Sequence, residues 1–201
     1  MSDGALRLAV YCGSNGGSDV RFAQDARAIG EAIAARGAEL VYGGGHVGLM
    51  GVVADAVLGA GGTVTGVITA GLVQAEIAHS GLTDLVVVDS MHERKARMCD
   101  LADGIIALPG GFGTLDEVLE MLTWNQLGLV SLPVVFLDTD GFFGDLFAFF
   151  DRCVDSGFVR PVHRQLAQRA ASAQQAVELA SAAPPATPHK WLDREIGTEA
   201  R

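Results

Sequence analysis

The sequence predicts an α/β fold: a doubly wound parallel sheet with helices on both faces, in a single domain. Three observations predict it. Short β-branched runs alternate with longer amphipathic or Ala-rich stretches. The short runs are rich in Val, Ile, Leu and Ala, as strands covered on both faces are. Gly, 26 of 201 residues, stands at nearly every junction between the two kinds of segment. This length suits one domain, or one domain with a tail, and a 49% hydrophobic content is ample for a large core.

The first strand is expected at residues 6–12, LRLAVYC. Ser18 or Asp19 then caps a helix that runs to about 35 and is closed by Gly37. A second strand at 39–42 leads through GGGHVG into a helix ending near 58. Further strands are expected at 63–69, 84–89, 104–108 and 133–138, each a short run between breakers. Helices are expected at about 91–102, 114–127 and 142–156. Beyond Pro161 the pattern weakens, until Ser172 and Gln175 form a capping-box pair ahead of a final helix near 174–182. The closing stretch SAAPPATPHKWLDREIGTEAR holds three of the six Pro and no apolar periodicity. Residues 183–201 therefore read as an extended or poorly ordered tail on a domain of residues 1–182, with Trp191 and Leu192 available to dock on a neighbour.

Charge narrows the partners. The formal net charge is −10. Between Gly37 and Asp151 the only basic residues are Arg94, Lys95 and Arg97, against fifteen carboxylates. A nucleic-acid polymer is excluded as a partner, because binding one requires many cations to displace counterions. The apolar runs are short and interrupted, so no membrane span is expected, and the N-terminus does not read as a signal peptide. Cys12, Cys99 and Cys153 are odd in number and far apart, which points to a reducing, cytoplasmic setting rather than a disulfide framework. The five His show no ligand spacing, so no metal site is expected.

Two glycine loops join strand to helix. Gly43-Gly44-Gly45-His46-Val47-Gly48 contains G-x-G-x-x-G in the context a dinucleotide fingerprint demands. It follows the second strand rather than the first, and the third strand ends TGVIT with no acid to hold a ribose. A nicotinamide or flavin is thus disfavoured and no cofactor is expected, although the loop leaves an anion-accepting helix end. The second loop is Pro109-Gly110-Gly111-Phe112-Gly113-Thr114. Glycines let backbone N–H groups approach a ligand, the next helix presents its positive end, and phosphate is the natural guest.

Two nearby patterns have ordinary structural explanations. Thr114 and Glu117 form T-x-x-E at a helix start, and spacing alone favours a capping box over catalysis. Arg94 opens the mixed-charge run HERKAR, of a kind that usually forms a solvated face. Against that, three cations gathered in an otherwise acidic stretch suit a site better than scattered surface charge. His46 and His92 lie beside the loops, and a packed or solvent-facing role suits them. The Cys residues suit small buried hydrophobes, and the Phe cluster at 142–150 suits core or a dimer interface.

Taken together, YGGGHVGLMG at 42–51, MHERKARM at 91–98 and PGGFGTLDE at 109–117 resemble the LOG family. These are the cytokinin riboside 5′-monophosphate phosphoribohydrolases, historically described as lysine decarboxylases. The likeness extends through CGS at 12–14 and LTWNQLG at 122–128, and covers nearly all of residues 6–160. The resemblance implies a Rossmann-like sandwich, commonly a homodimer with shared active sites. Arg94 and Glu117 match the family's catalytic pair. Lys95, the Gly111–Glu117 segment and Thr123 match nucleotide-contacting positions, and Glu76 matches a further substrate-contacting glutamate. Ser14, Gly44, Gly45 and Gly110 are further candidate substrate contacts, beside Gly111, Phe112, Gly113 and Thr114. The chain departs from the family at Thr69, where relatives often carry Pro, and in 161–171, which is more polar than the late strand expected there.

The resemblance implies hydrolysis of the N-glycosidic bond of a nucleoside 5′-monophosphate, giving free base and ribose 5-phosphate. Positive charge then builds on the sugar, and a carboxylate beneath the ring stabilises it and orients or deprotonates water. Glu117 is the candidate for that carboxylate. Arg94 would hold Glu117 ionised, or contact ribose and phosphate through its planar fork. The alternative is a binding protein of the same fold, like the molybdenum-cofactor carriers, which needs no paired carboxylate. An NAD(P)-linked enzyme and a purely structural oligomer are weaker alternatives.

Overall fold

The computed structural model describes residues 5–74 and 77–186. Seven strands form one sheet: β1 (Arg7–Tyr11), β2 (Glu39–Tyr42), β3 (Val64–Thr69), β4 (Asp84–Val88), β5 (Gly104–Ala107), β6 (Val134–Leu137) and β7 (Ala167–Ala170). Their order is β4-β3-β2-β1-β5-β6-β7, and every neighbouring pair is parallel. The helices are α1 (Val20–Ala35), α2 (Gly48–Gly59), α3 (Ala70–Gln74), α4 (Met91–Leu101), α5 (Phe112–Leu127), α6 (Gly144–Asp155), α7 (Pro161–Arg164) and α8 (Ala173–Ala180). Among the described residues no helix is long and apolar enough to cross a membrane.

Side chains alternate across each strand, and this splits the core in two. Leu8, Val10, Leu40, Tyr42, Ile106 and Val135 pack with α1, α2 and α8. Ala9, Tyr11, Val41, Ile105, Ala107 and Phe136 face the other way, toward α4, α5 and α6. The chain winds from β1 toward β2 on one side and toward β5 on the other. At such a switch point the loops after the strands diverge and leave a crevice at the strand C-terminal ends.

Local sequence explains most boundaries. Asp19 caps α1 by accepting from the Arg21 N–H at 2.9 Å, and Gly37 follows its end at φ 70°. Ser172 caps α8 by accepting from the Gln175 N–H, while the Gln175 carbonyl reaches back to the Ala171 N–H at 2.8 Å. The polar stretch 161–171 does contain the late strand: β7 pairs with β6, burying Ala167 and Ala170. It tolerates Arg169 because it is an edge, and Arg169 bonds Asp138 and covers the Phe147 ring. Pro161 starts α7 at a position where its missing N–H costs nothing. Residues 187–201, with Trp191 and Leu192, lie outside the described residues.

The α1–α2 crossing depends on Gly30, where an added Cβ would sit 2.6 Å from Ala56 Cβ and 2.7 Å from Val53 O. Gly30→Val should lower the urea unfolding midpoint, corresponding to about 1–3 kcal/mol of overpacking. Gly59→Ala meets nothing within 4 Å and should leave the midpoint unchanged or raise it.

Candidate active site

The crevice at the switch point is a cleft of about 670 Å³, a size that encloses a small-molecule ligand. Its walls come from the loops after β1, β2 and β5 and from the first turns of α4 and α5. The loops are locked to one another through backbone: the Gly13 N–H donates to Pro109 O at 3.1 Å, and the Leu49 N–H donates to Gly13 O at 3.1 Å. The chain at 77–79 closes over the first glycine loop. The His46 N–H donates to Ile77 O, the His79 N–H donates to Gly44 O, and Gly45 bridges Ala78 in antiparallel fashion.

Arg94 forms the floor. It enters from α4, whose start is capped by side chains: Ser90 Oγ accepts from the Glu93 N–H at 3.1 Å, and Glu93 reaches past the N-cap to accept from the Asp89 N–H at 3.0 Å. One turn into this helix, Arg94 is only 7% exposed. Its Nε donates to Val67 O on β3 at 2.8 Å and its Nη2 donates to Gly43 O at 3.0 Å. Its Nη1 meets Glu117 Oε1 at 3.5 Å. The guanidinium approaches Gly43 so closely that a Cβ there would lie 2.1 Å from Nη2. The solvated-face reading of HERKAR is therefore wrong for Arg94 and Lys95, which are buried, and holds for His92 and Arg97, which are exposed.

Glu117 overturns the capping expectation. Helix α5 begins at Phe112 with Gly111 as its N-cap and no side-chain cap. Starting two residues earlier than expected, the helix takes Thr114 inside its first turn, and Glu117 is freed from any capping role. Its side chain is 13% exposed and faces Arg94. Burial pushes its pKa from the ordinary 4.5 to about 7; Arg94 opposes the rise, Asp116 adds to it, and Lys95 opposes it. The desolvation cost thus outweighs a long ion pair, as expected where the nearest donor is 3.5 Å away. A carboxyl poised near neutrality in a cleft is what proton-transfer chemistry requires.

The cleft gathers most, not all, of the candidate positions. Ser14, Gly45, Gly110, Gly111, Phe112, Gly113 and Thr114 line it with Arg94 and Glu117. The uncapped N-terminus of α5 opens into it, and Phe112 stands at its rim, 94% exposed. Gly44 is turned behind the loop at φ 73°, its carbonyl taken by His79. Lys95 bonds Asp116 at 3.0 Å and Glu120 at 3.1 Å beside the cleft rather than in it. Thr123 is exposed on α5, where its hydroxyl donates to Leu119 O and faces a separate hollow of about 170 Å³. Glu76 lies outside the described residues. The Phe cluster divides: Phe143 and Phe147 are core, Phe142 is on the cleft rim and Phe149 is exposed. Sequence reasoning missed the apolar wall of Met50, Leu72, Ile77 and Met91, which reads as core, and Tyr11, a phenol at the end of a buried strand.

A family model described as "Possible lysine decarboxylase" matches residues 50–180. A rice protein named "Probable cytokinin riboside 5′-monophosphate phosphoribohydrolase" is 45% identical over 169 residues, 84% of this chain and 76% of that protein. A cytokinin riboside 5′-monophosphate phosphoribohydrolase of Arabidopsis thaliana is 42% identical over 173 residues, 86% of this chain and 81% of that protein. The chain belongs to the LOG family. Among solved structures it is similar to the molybdenum cofactor binding protein of Rippkaea orientalis, with a TM-score of 0.68 at 24% identity over 89% of this chain and 96% of that one. The molybdenum cofactor carrier protein of Chlamydomonas reinhardtii gives 0.67 at 23% identity, over 87% and 95%. These two likenesses share the fold and nothing finer. The LOG motifs and the cleft coincide: MHERKARM supplies Arg94 and PGGFGTLDE supplies Glu117.

A raised carboxylate pKa is also a statement about stability. Between the ordinary value of 4.5 and about 7, the unfolded chain has lost the Glu117 proton and the folded protein still holds it. Stability therefore falls as pH rises through that window and levels off above it. Glu117→Gln should match the wild type near pH 4 and exceed it above pH 7, by an amount on the order of 3 kcal/mol. Chemical denaturation at the two pH values checks this.

Proposed function

We propose that this LOG-family chain hydrolyses the N-glycosidic bond of a cytokinin riboside 5′-monophosphate, releasing the free base and ribose 5-phosphate. The observation that carries the reading is the buried Arg94–Glu117 pair, facing the uncapped start of α5 across one cleft. The 5′-phosphate sits on the backbone N–H groups at Gly111–Thr114, where the helix dipole favours an anion. The sugar then lies over Glu117. As the base departs, positive charge develops at the sugar and the ionised Glu117 carboxylate stabilises it. The same carboxylate takes a proton from the attacking water.

Arg94 acts on Glu117 rather than on phosphate. Two of its nitrogens are committed to the Val67 and Gly43 carbonyls, and the third faces Glu117. It therefore holds the carboxylate's orientation and opposes the rise in its pKa. The base faces the wall of Met50, Leu72, Ile77 and Met91, whose apolar surface favours an isoprenoid substituent over bare adenine. Glu76 and Thr123 complete the proposal as substrate contacts, and Lys95 joins them only if nucleotide draws its ammonium away from Asp116 and Glu120. Thr123 faces away from its own cleft beside the exposed Leu119, an arrangement that suits a homodimer in which it is offered to a partner.

Base release from isopentenyladenosine 5′-monophosphate and from AMP, followed by chromatography, tests the reading. The prenylated nucleotide should be turned over with the lower KM. Glu117→Gln should keep nucleotide binding and lose about 10²- to 10⁴-fold in kcat. Binding of nucleotide with no release from either substrate would make the protein a carrier. For the dimer, Leu119→Asp should shift the sedimenting species from two chains to one and lower activity with it.

A further inference from the structure

Tyr11 ends β1 at the point where the strand gives way to the Gly13–Asn15 loop. Its ring enters the layer between the sheet and helices α4 and α5, among Ala9, Met98, Val118 and Met121. The residue is 1% exposed and borders the cleft. Its hydroxyl has no hydrogen-bond partner. A buried donor left unsatisfied is costly, and phenylalanine would fill the same space without that cost.

The groups around it identify the missing partner. Arg94 and Cys99 face the phenol from α4, and Glu117 and Glu120 face it from α5. Arg94 is a donor only. Burial keeps the proton on the Cys99 thiol, raising its pKa to about 11. Glu120 also keeps an unpartnered buried oxygen, but it faces the Lys95 ammonium at 3.1 Å and, unlike Tyr11 and Glu117, does not line the cleft. Glu117 remains. It receives one long contact from Arg94, at 3.5 Å, and a carboxylate has lone pairs for several donors. Among the charges acting on Tyr11, that of Glu117 is foremost, and together with burial it holds the phenolic proton on well above the ordinary range. Tyr11 is thus a permanent donor beside an under-served acceptor.

We propose that Tyr11 is a positioning residue: with nucleotide in the cleft, its hydroxyl donates to the Glu117 carboxylate, keeping that group ionised and aimed at the sugar. The proposal rests on the hydrolase reading. Besides Tyr11, the groups facing Glu117 are Arg94 and Lys95 from α4, Asp116 from its own helix and Cys12 from the end of β1. Of these, only Arg94 and Lys95 oppose the rise in its pKa. A hydrogen bond from Tyr11 adds a third influence of that sign without adding charge.

Tyr11→Phe removes one oxygen and tests this with two readouts. In pH–rate profiles on isopentenyladenosine 5′-monophosphate, the acid limb of kcat should move up by about one pH unit, with kcat at pH 6 falling roughly tenfold. KM should change less than twofold, and the unfolding midpoint should hold or rise. In ribose 5-phosphate-loaded protein, NMR titration of a labelled Glu117 carboxyl should show the same upward shift. An unmoved limb and titration overturns the proposal, as does a pH-independent loss of kcat accompanied by lost stability. Glu117→Gln with Tyr11→Phe should be no slower than Glu117→Gln alone; a further tenfold loss overturns it too. If the wild type releases no base, the hydrolase reading fails, and the Glu117 titration still decides whether Tyr11 holds that carboxyl.

Discussion

A guanidinium taken out of water must have its donors met, and at Arg94 that requirement organises the cleft. Its three nitrogens reach the carbonyl of Val67 on β3, the carbonyl of Gly43 after β2 and the carboxyl of Glu117 on α5. Two strand ends and one helix are thereby referred to a single side chain carried by α4. A buried donor that loses its carbonyl acceptor costs about 1–3 kcal/mol, so the elements that carry these acceptors hold their spacing as a set. Gly43 is part of the same demand, since any side chain there would occupy the position of Nη2. The glycine loop that looks like a dinucleotide fingerprint is, at that residue, room for an arginine.

How much of this was legible in the sequence follows from what each residue faces. The central strands were, because they are covered on both faces: β2 falls on residues 39–42 as expected, β3 and β5 differ by a residue at one end, and β6 is shorter by a residue at each end. The late strand was obscure because it is an edge, where Gln168 and Arg169 break the apolar run. The start of α5 was misplaced because Gly111 and Phe112 carry no helix signal, and that error made a capping box of Thr114 and Glu117. The side-chain cap lies instead at Ser90 and Glu93, just ahead of Arg94. No periodicity distinguishes a buried Arg94 from the exposed Arg97 three residues on; the family motif did that. Tyr11 and the Met50–Met91 wall stayed hidden because a strand-end phenol and scattered apolar residues look like core.

The electrostatics of the cleft set two demands against each other. Burial raises Glu117 toward neutrality, and the cations of α4 bring it part of the way back. The result is a carboxyl that changes state near pH 7, in a protein whose net charge is −10. In the proposed reading, uncharged backbone donors at the start of α5 take the place of side-chain cations, so a compact anion is held without altering the acidic character of the surface around it.

That use of backbone has a consequence for how such a protein can diverge. The donors at Gly111–Thr114 belong to the main chain, and most point mutations leave a main-chain N–H where it was. The apolar wall is side chain throughout: Met50, Leu72, Ile77 and Met91 can be exchanged one at a time for residues of other shapes. In the proposed reading, the phosphate handle and the base pocket are therefore inherited separately. A lineage can sample new bases while its grip on the common ribose phosphate persists, and drift in substrate need not pass through an ancestor that binds nothing.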